Sequence, residues 1–285
     1  MKILVTGCNG QLGREIIEQL EVKKAKGEYI EILKCDKASL DISNFKEVDN
    51  YILENKPNVI INCAAFTNVD LSEEEVELAY KINALGAKNL AIASEKVKSK
   101  LVYISTDYVF KGDKNTPYKE DDATNPTSIY GKSKLLGEQY TKEFCSRYFI
   151  IRTAWLYGEG NNFVKTMIRL SESKKEINVV NDQIGSPTST KDLAVCILNL
   201  INTEYYGTYH GTNNGFCSWY EFAKKIFEIK NIDINVNPIT SDNFFSKVKR
   251  PSYSVLDNFM LRIIGLDNFK YWEDALKEYL REYIK

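Results

Sequence analysis

Tyr130 and Lys134 set a phenol and an ammonium four residues apart in Ile129-Tyr-Gly-Lys-Ser-Lys134. On a helix, positions i and i+4 share one face with Cβ atoms about 5–6 Å apart, so both groups can act on one substrate atom. A phenol has a pKa near 10 in water. A neighbouring cation favours its anion, so Lys134 is expected to draw Tyr130 toward neutral pH and make it a proton donor to a carbonyl. Alone, the pair is better explained by an amphipathic helix carrying a solvated lysine. The elements around it must decide.

A positioning framework is legible upstream. Lys2-Ile-Leu-Val-Thr6 is a short apolar run of the buried parallel-strand type. It feeds Gly7-Cys-Asn-Gly10-Gln-Leu-Gly13 and then a helical pattern through Ile16, Ile17 and Leu20. Strand, glycine turn and helix in that order make a phosphate site, because glycines allow close backbone approach and the helix N-terminus offers unpaired N–H groups. The spacing is G-x-x-G-x-x-G rather than the simplest G-x-G-x-x-G. A second strand over 29–35 ends at Asp36, where a carboxylate can meet an adenosine ribose or simply cap a turn. An acid there repels a 2′-phosphate and favours NADH slightly over NADPH, while Lys37 works the other way. Asp41 and Ile42 lie where they can approach adenine, and Asp41 or Ser43 can equally cap the next helix.

The third βα unit carries Asn58 to Ala65, with small residues at the strand end, and a helix expected to open on a capping box at Ser72-Glu-Glu-Glu75. Asn83 falls inside that helix and needs a partner there; it is placed with the cofactor-binding residues. A fourth strand, Leu101–Ser105, delivers Thr106 and Asp107 to its carboxyl end, where ligands sit in an open parallel sheet. The alternation is clearest to residue 153, giving a Rossmann-type doubly wound α/β domain over 1–153, to which later segments can return. A smaller C-terminal substrate-binding lobe is expected over 154–285, with helices at 162–170, 218–230 and 271–283 and the substrate in the cleft between lobe and sheet.

Composition narrows the class. The chain has 285 residues, 44% of them hydrophobic, with 38 Lys plus Arg against 39 Asp plus Glu. That balance, without a basic run, argues against nucleic acid. No apolar run approaches the ~20 residues needed to span a bilayer, and the N-terminus enters a strand with no hydrophobic signal segment, so a cytoplasmic protein is expected. The six cysteines form no C-x-x-C pair and read as reduced core residues. His210 is the only histidine and reads as structural, which leaves no basis for a His-rich metal site.

Seven stretches in one order carry a resemblance: Val5–Gly13, Asn62–Asp70, Ser105–Phe110, Tyr130–Lys134, Arg152–Gly158, Asp182–Thr188 and Arg250–Ser254. Together the chain resembles the extended short-chain dehydrogenases/reductases, and within them the branch acting on dTDP-4-dehydro-L-rhamnose for cell-surface polysaccharide. The resemblance implies that Tyr130 protonates the C4 carbonyl of that sugar as hydride arrives from NADPH or NADH. Lys134 would hold the nicotinamide ribose, Thr106 the substrate oxygen, and Asp107 and Trp155 the sugar. Gly7, Gly10, Gln11, Leu12 and Gly13 would surround the pyrophosphate, Asp36, Asp41 and Ile42 the adenosine end, and Ala64, Ala65 and Phe66 the middle of the cofactor. Phe66 departs from the Tyr or His expected there, which leaves its contact to the backbone. Lys165, Arg169, Lys249 and Arg250 are offered for the substrate diphosphate. Some relatives use magnesium in forming homodimers, but no ligands for it are identifiable. The rival readings are an epimerase or dehydratase of the same superfamily, or a non-catalytic subunit resembling the regulatory subunit of methionine adenosyltransferase. Against elimination, Asp107 is followed by Tyr108 rather than a second acid.

Overall fold

The computed structural model describes residues 1–243 and 248–284. In chain order the elements that build the site are β1 (Lys2–Thr6), α1 (Gln11–Ala25), β2 (Glu31–Cys35), α2 (Phe45–Asn55), β3 (Val59–Asn62), α3 (Gly86–Val97), β4 (Lys100–Thr106), α4 (Ile129–Phe144) and β5 (Tyr148–Thr153). They are followed by α5 (Phe163–Ser171), α6 (Thr190–Leu200), β6 (Gly207–His210), α7 (Trp219–Lys230) and α8 (Trp272–Tyr283). The six strands form one parallel sheet in the order β6-β5-β4-β3-β1-β2.

Strand alternation explains why the sheet is covered on both faces. Ile3 and Val5 of β1, with Val59 and Ile61 of β3, enter a core shared with Leu12 and Ile16 of α1 and Leu193 and Ile197 of α6. The intervening Leu4, Ile60 and Leu101 enter the opposite core with Val48 and Ile52 of α2 and Leu90 of α3. A strand buried on both faces must be apolar at nearly every position, and this is the doubly wound α/β architecture expected from the sequence.

The chain beyond 153 is divided. α6 packs on α1, and β6 pairs with β5 from Gly207↔Phe149 to His210↔Arg152, so this stretch completes the sheet. The remainder builds a second core in which Tyr157, Val164 and Met167 meet Phe222 and Ile226 of α7 and Trp272 and Leu276 of α8. A two-stranded parallel ribbon, Glu176–Val180 against Asn235–Ile239, flanks it.

Helix starts follow local chemistry. The Ser218 hydroxyl accepts from Glu221 N while the Glu221 carboxylate accepts from Ser218 N, a complete capping box for α7. The box expected at Ser72–Glu75 does not form. Asn68, four residues earlier, caps a turn by accepting from Leu71 N, and the Ser72 hydroxyl is spent on the Asn68 carbonyl. Likewise α2 is capped by Asn44, not Asp41 or Ser43; Asp41 accepts from the amide and hydroxyl of Ser43 in an Asx turn. All six cysteines are free.

Candidate active site

The glycine turn is built to bring backbone against backbone. Gly7 has φ +63°, and a Cβ on it would lie 2.6 Å from Ala64 N; one on Gly13 would lie 2.4 Å from the Gly7 carbonyl oxygen. Gly10, the N-cap of α1, brings no side chain to cap the helix. A glycine cradle under an uncapped helix N-terminus fits a dinucleotide pyrophosphate. At the end of β2, the Asp36 carboxylate accepts from Ala38 N, Ser39 N and the Ser39 hydroxyl, and from Asn9 Nδ2 of the glycine turn at 3.0 Å. Hydrogen bonds from Ser39 hold its pKa below the usual carboxylate range.

α4 is fixed by the Ser128 hydroxyl, which accepts from Gly131 N at 3.1 Å, and by the Glu73 carboxylate, which accepts from Ile129 N at 2.8 Å. Gly131 allows its close approach to the turn that follows β4, since a Cβ there would stand 2.2 Å from the Tyr108 carbonyl oxygen. That approach brings Tyr130 to the end of β4, where the Thr106 hydroxyl faces the phenol. Thr106 in turn donates to Asp107 Oδ1 at 2.9 Å and accepts from Tyr108 N at 3.2 Å. Tyr130, Thr106 and Asp107 thus stand in a row at the end of β4.

Burial governs the charges. It pushes the Tyr130 phenol up to about 12, outweighing the Thr106 hydrogen bond, with the Asp107 charge adding to the rise. Burial also takes Lys134 down to about 7, against the pull of Glu138 one turn along α4. The Lys134 ammonium donates to the Ile104 carbonyl and lies 4.1 Å from the centre of the Tyr103 ring. The expectation that Lys134 draws Tyr130 toward neutral pH is therefore not met in this structure: desolvation dominates the phenol, and Lys134 is not among the groups that shift it. A phenol with a raised pKa is protonated at pH 7, the form a proton donor needs. Asp107, also buried, is raised to about 6 by desolvation; its Oδ2 has no hydrogen-bond partner of standard geometry, although Ser254 faces the carboxylate from the lobe.

These groups line a cavity of about 540 Å³. Gly10, Gln11, Leu12 and Gly13 close one end; Thr106, Asp107, Tyr130 and Lys134 form the floor. Trp155, Leu156 and Trp219 line the lobe side, and Cys63 and Ala65 the end of β3. Gly7, Asp36, Asp41, Ile42, Ala64, Phe66, Asn83 and Arg250 are not on its wall. Ile42 is a core residue that packs on α3, its carbonyl accepting from Asn89 Nδ2. Asn83 sits in a π-helical turn, Lys81–Leu85, and reaches the site only through others. Its amide accepts from Phe66 N at 2.8 Å and donates to the Phe66 carbonyl and the Ser133 hydroxyl, each at 3.0 Å. This ties the loop after β3 to the Tyr130 helix and occupies both backbone groups of Phe66.

None of the four cations offered for a diphosphate lines the cavity. Arg169 and Lys249 are exposed, Lys165 is half-buried on α5, and Arg250 pairs with Asp70 at 3.3 Å. His210 is fully buried, its Nδ1 3.0 and 3.1 Å from the carbonyls of Tyr118 and Asp257 and its Nε2 3.5 Å from Arg152 Nη1. Nδ1 thus carries the proton, and burial lowers the ring to about 3. Among the described residues, no group of three or more His, Cys, Asp or Glu is placed to hold a metal ion, and no helix is long and apolar enough to cross a membrane. Trp219 was not anticipated from the sequence. The available signal was its place directly after the Ser218 cap, which sets an aromatic at the first position of a lobe helix.

The parallel sheet, the glycine cradle and the Thr106–Tyr130–Lys134 group define a Rossmann-type oxidoreductase of the short-chain dehydrogenase/reductase kind. A family model described as "RmlD substrate binding domain" matches residues 1–285, and the chain belongs to that family. It is 43% identical to the spore coat polysaccharide biosynthesis protein SpsK of Bacillus subtilis, over 99% of this chain and 97% of that protein. It is similar to the crystal structure of a dTDP-4-dehydrorhamnose reductase from Clostridium acetobutylicum, with 52% identity, 99% coverage of both chains and a TM-score of 0.96. A dTDP-4-dehydrorhamnose reductase from Bacillus anthracis, solved in complex with NADP, is 49% identical with 99% coverage of both chains and a TM-score of 0.95.

Proposed function

We infer that this enzyme reduces the C4 carbonyl of dTDP-4-dehydro-L-rhamnose to dTDP-L-rhamnose at the expense of NADPH, in the cytoplasm and in the service of a rhamnose-containing surface polysaccharide. The observation that carries the reading is one cavity lined both by the glycine turn at the α1 N-terminus and by the Tyr130 phenol beside Thr106 and Lys134. Relatives named for this reaction match over the whole chain, one of them solved with NADP. When bound, the reduced nicotinamide supplies the hydride.

Each side chain has a role set by its place. The α1 N-terminus and Gly10 to Gly13 bind the pyrophosphate; Lys134, at the floor, binds the nicotinamide ribose. Thr106 orients the phenol and the substrate carbonyl, and Tyr130 gives its proton to the C4 oxygen. Asp107 and Trp155 contact the sugar. Asp36 is already engaged by Asn9, Ala38 and Ser39, so its carboxylate serves the turn, and the exposed Lys37 beside it is available to a 2′-phosphate. This favours NADPH over the NADH preference expected from an acid at that position.

The test is loss of NADPH and NADH absorbance on adding dTDP-4-dehydro-L-rhamnose. Oxidation of one coenzyme per sugar reduced, faster with NADPH, supports the reading. Turnover without net coenzyme consumption would instead mark an epimerase.

A further inference from the structure

The lobe side of the cavity holds an arrangement that the proton-donor chemistry does not use. Trp155 adopts φ +47°, a left-handed backbone that costs a bulky residue on the order of 1–3 kcal/mol and persists only where its surroundings enforce it. Two neighbours hold the indole in place. Gly185 lies against it, where an added Cβ would stand 2.4 Å from Trp155 Cε2. Trp219 stacks on it with ring centroids 3.5 Å apart and planes 7° from parallel. Gly185 and the residues preceding Trp219 belong to paired strands, Ile184–Gly185 against Cys217–Ser218, so one short ribbon sets both neighbours. Trp219 is held further by the Ser218–Glu221 capping box and by Phe163, 4.5 Å away centre to centre. Both indoles line the cavity.

We propose that Trp219 is a positioning residue: by stacking on Trp155 it fixes a two-indole wall that receives the apolar face of the deoxy-sugar ring of a nucleotide sugar. The proposal rests on the nucleotide-sugar reading above for its ligand, but not for its geometry. An indole face offers a flat apolar surface to ring C–H groups and to a methyl in place of a hydroxymethyl. The wall stands apart from Tyr130, Thr106 and the glycine cradle in chain and in lobe. It should act on sugar binding, with ground state and transition state held alike, so that KM carries the effect more than kcat.

Two stacked indoles give an exciton couplet in far-ultraviolet circular dichroism, which reads the stack directly. Trp219→Ala should lose the couplet and raise the KM for the keto sugar about tenfold, with kcat and the NADPH dissociation constant changed less than about threefold. Trp219→Phe should lose the indole couplet yet restore KM to within about twofold of wild type, because a ring still backs Trp155. In the wild type, dTDP-L-rhamnose should change the couplet and dTDP alone should not. That comparison needs neither turnover nor a folded variant, so it stands if the keto sugar proves not to be a substrate. A couplet indifferent to both ligands, or a Trp219→Ala enzyme that loses the couplet with KM unchanged, overturns the proposal.

Discussion

Glu138→Ala should cost about 3–5 kcal/mol of folding stability, because it leaves a buried guanidinium uncompensated. Arg152 Nε lies 2.9 Å from Glu138 Oε1 and Nη2 lies 2.8 Å from Oε2, a two-pronged pair in which the side chains are 3% and 1% exposed. The Ser105 hydroxyl donates to the same carboxylate at 2.6 Å and would lose its partner too, a further penalty of about 1 kcal/mol or more. Arg152 keeps the Glu120 carbonyl at 3.2 Å, the His210 ring and the face of Phe110, none of which carries a compensating charge. Urea unfolding, followed at unchanged slope, gives the number. Replacing both partners with apolar residues, Glu138→Leu with Arg152→Met, should recover most of the loss, since the penalty belongs to the orphaned charge and not to the absence of a pair. The pair also reaches the site: Glu138 supports the Lys134 charge against burial, so its removal should lower the Lys134 pKa further below about 7. A loss under about 1 kcal/mol for Glu138→Ala, or a double variant no better than the single, would refute this reasoning.

Two further outcomes follow from the same geometry. His210 is neutral in the fold with a pKa near 3, against about 6.5 unfolded, so the unfolded chain binds the extra proton first. Its contribution is intact above pH 6.5 and is lost as pH falls toward 3; His210→Asn should be less stable than wild type at pH 7 but show a shallower loss between pH 6.5 and 4 in acid unfolding. Equal slopes would contradict it. Gly13→Ala would place a methyl 2.4 Å from the Gly7 carbonyl oxygen and force the turn open. The NADPH dissociation constant, by fluorescence titration, should rise at least about tenfold; unchanged affinity would remove the turn from the cofactor site.

What the sequence disclosed and what it hid divide along local and non-local lines. The β1–glycine–α1 unit is legible because its signals, an apolar run, three glycines and a helical period, all lie within 20 residues. The Ser218 capping box is legible for the same reason. The Ser72–Glu75 box is not, because the motif cannot reveal that Asn68 captures the backbone one turn earlier. β6 reads as a lobe strand, since nothing in Gly207-Thr-Tyr-His210 announces a partner nearly 60 residues away in β5. Asn83 shows the same limit: its need for a partner is visible, but not that Phe66 and Ser133 supply it. The charges of Tyr130 and Lys134 depend on burial, which spacing does not encode. Trp155 stands in a recognisable stretch, while Trp219, its stacking partner, becomes visible only when two distant strands pair.

The most direct test of the account is Tyr130→Phe, which removes the donated proton and leaves the ring. With NADPH and dTDP-4-dehydro-L-rhamnose in single-turnover absorbance, the rate should fall by about 10²–10⁴, with NADPH affinity within about twofold of wild type. A Tyr130→Phe enzyme turning over near the wild-type rate would show that the proton comes from elsewhere and that the row from Tyr130 to Asp107 is not the donor.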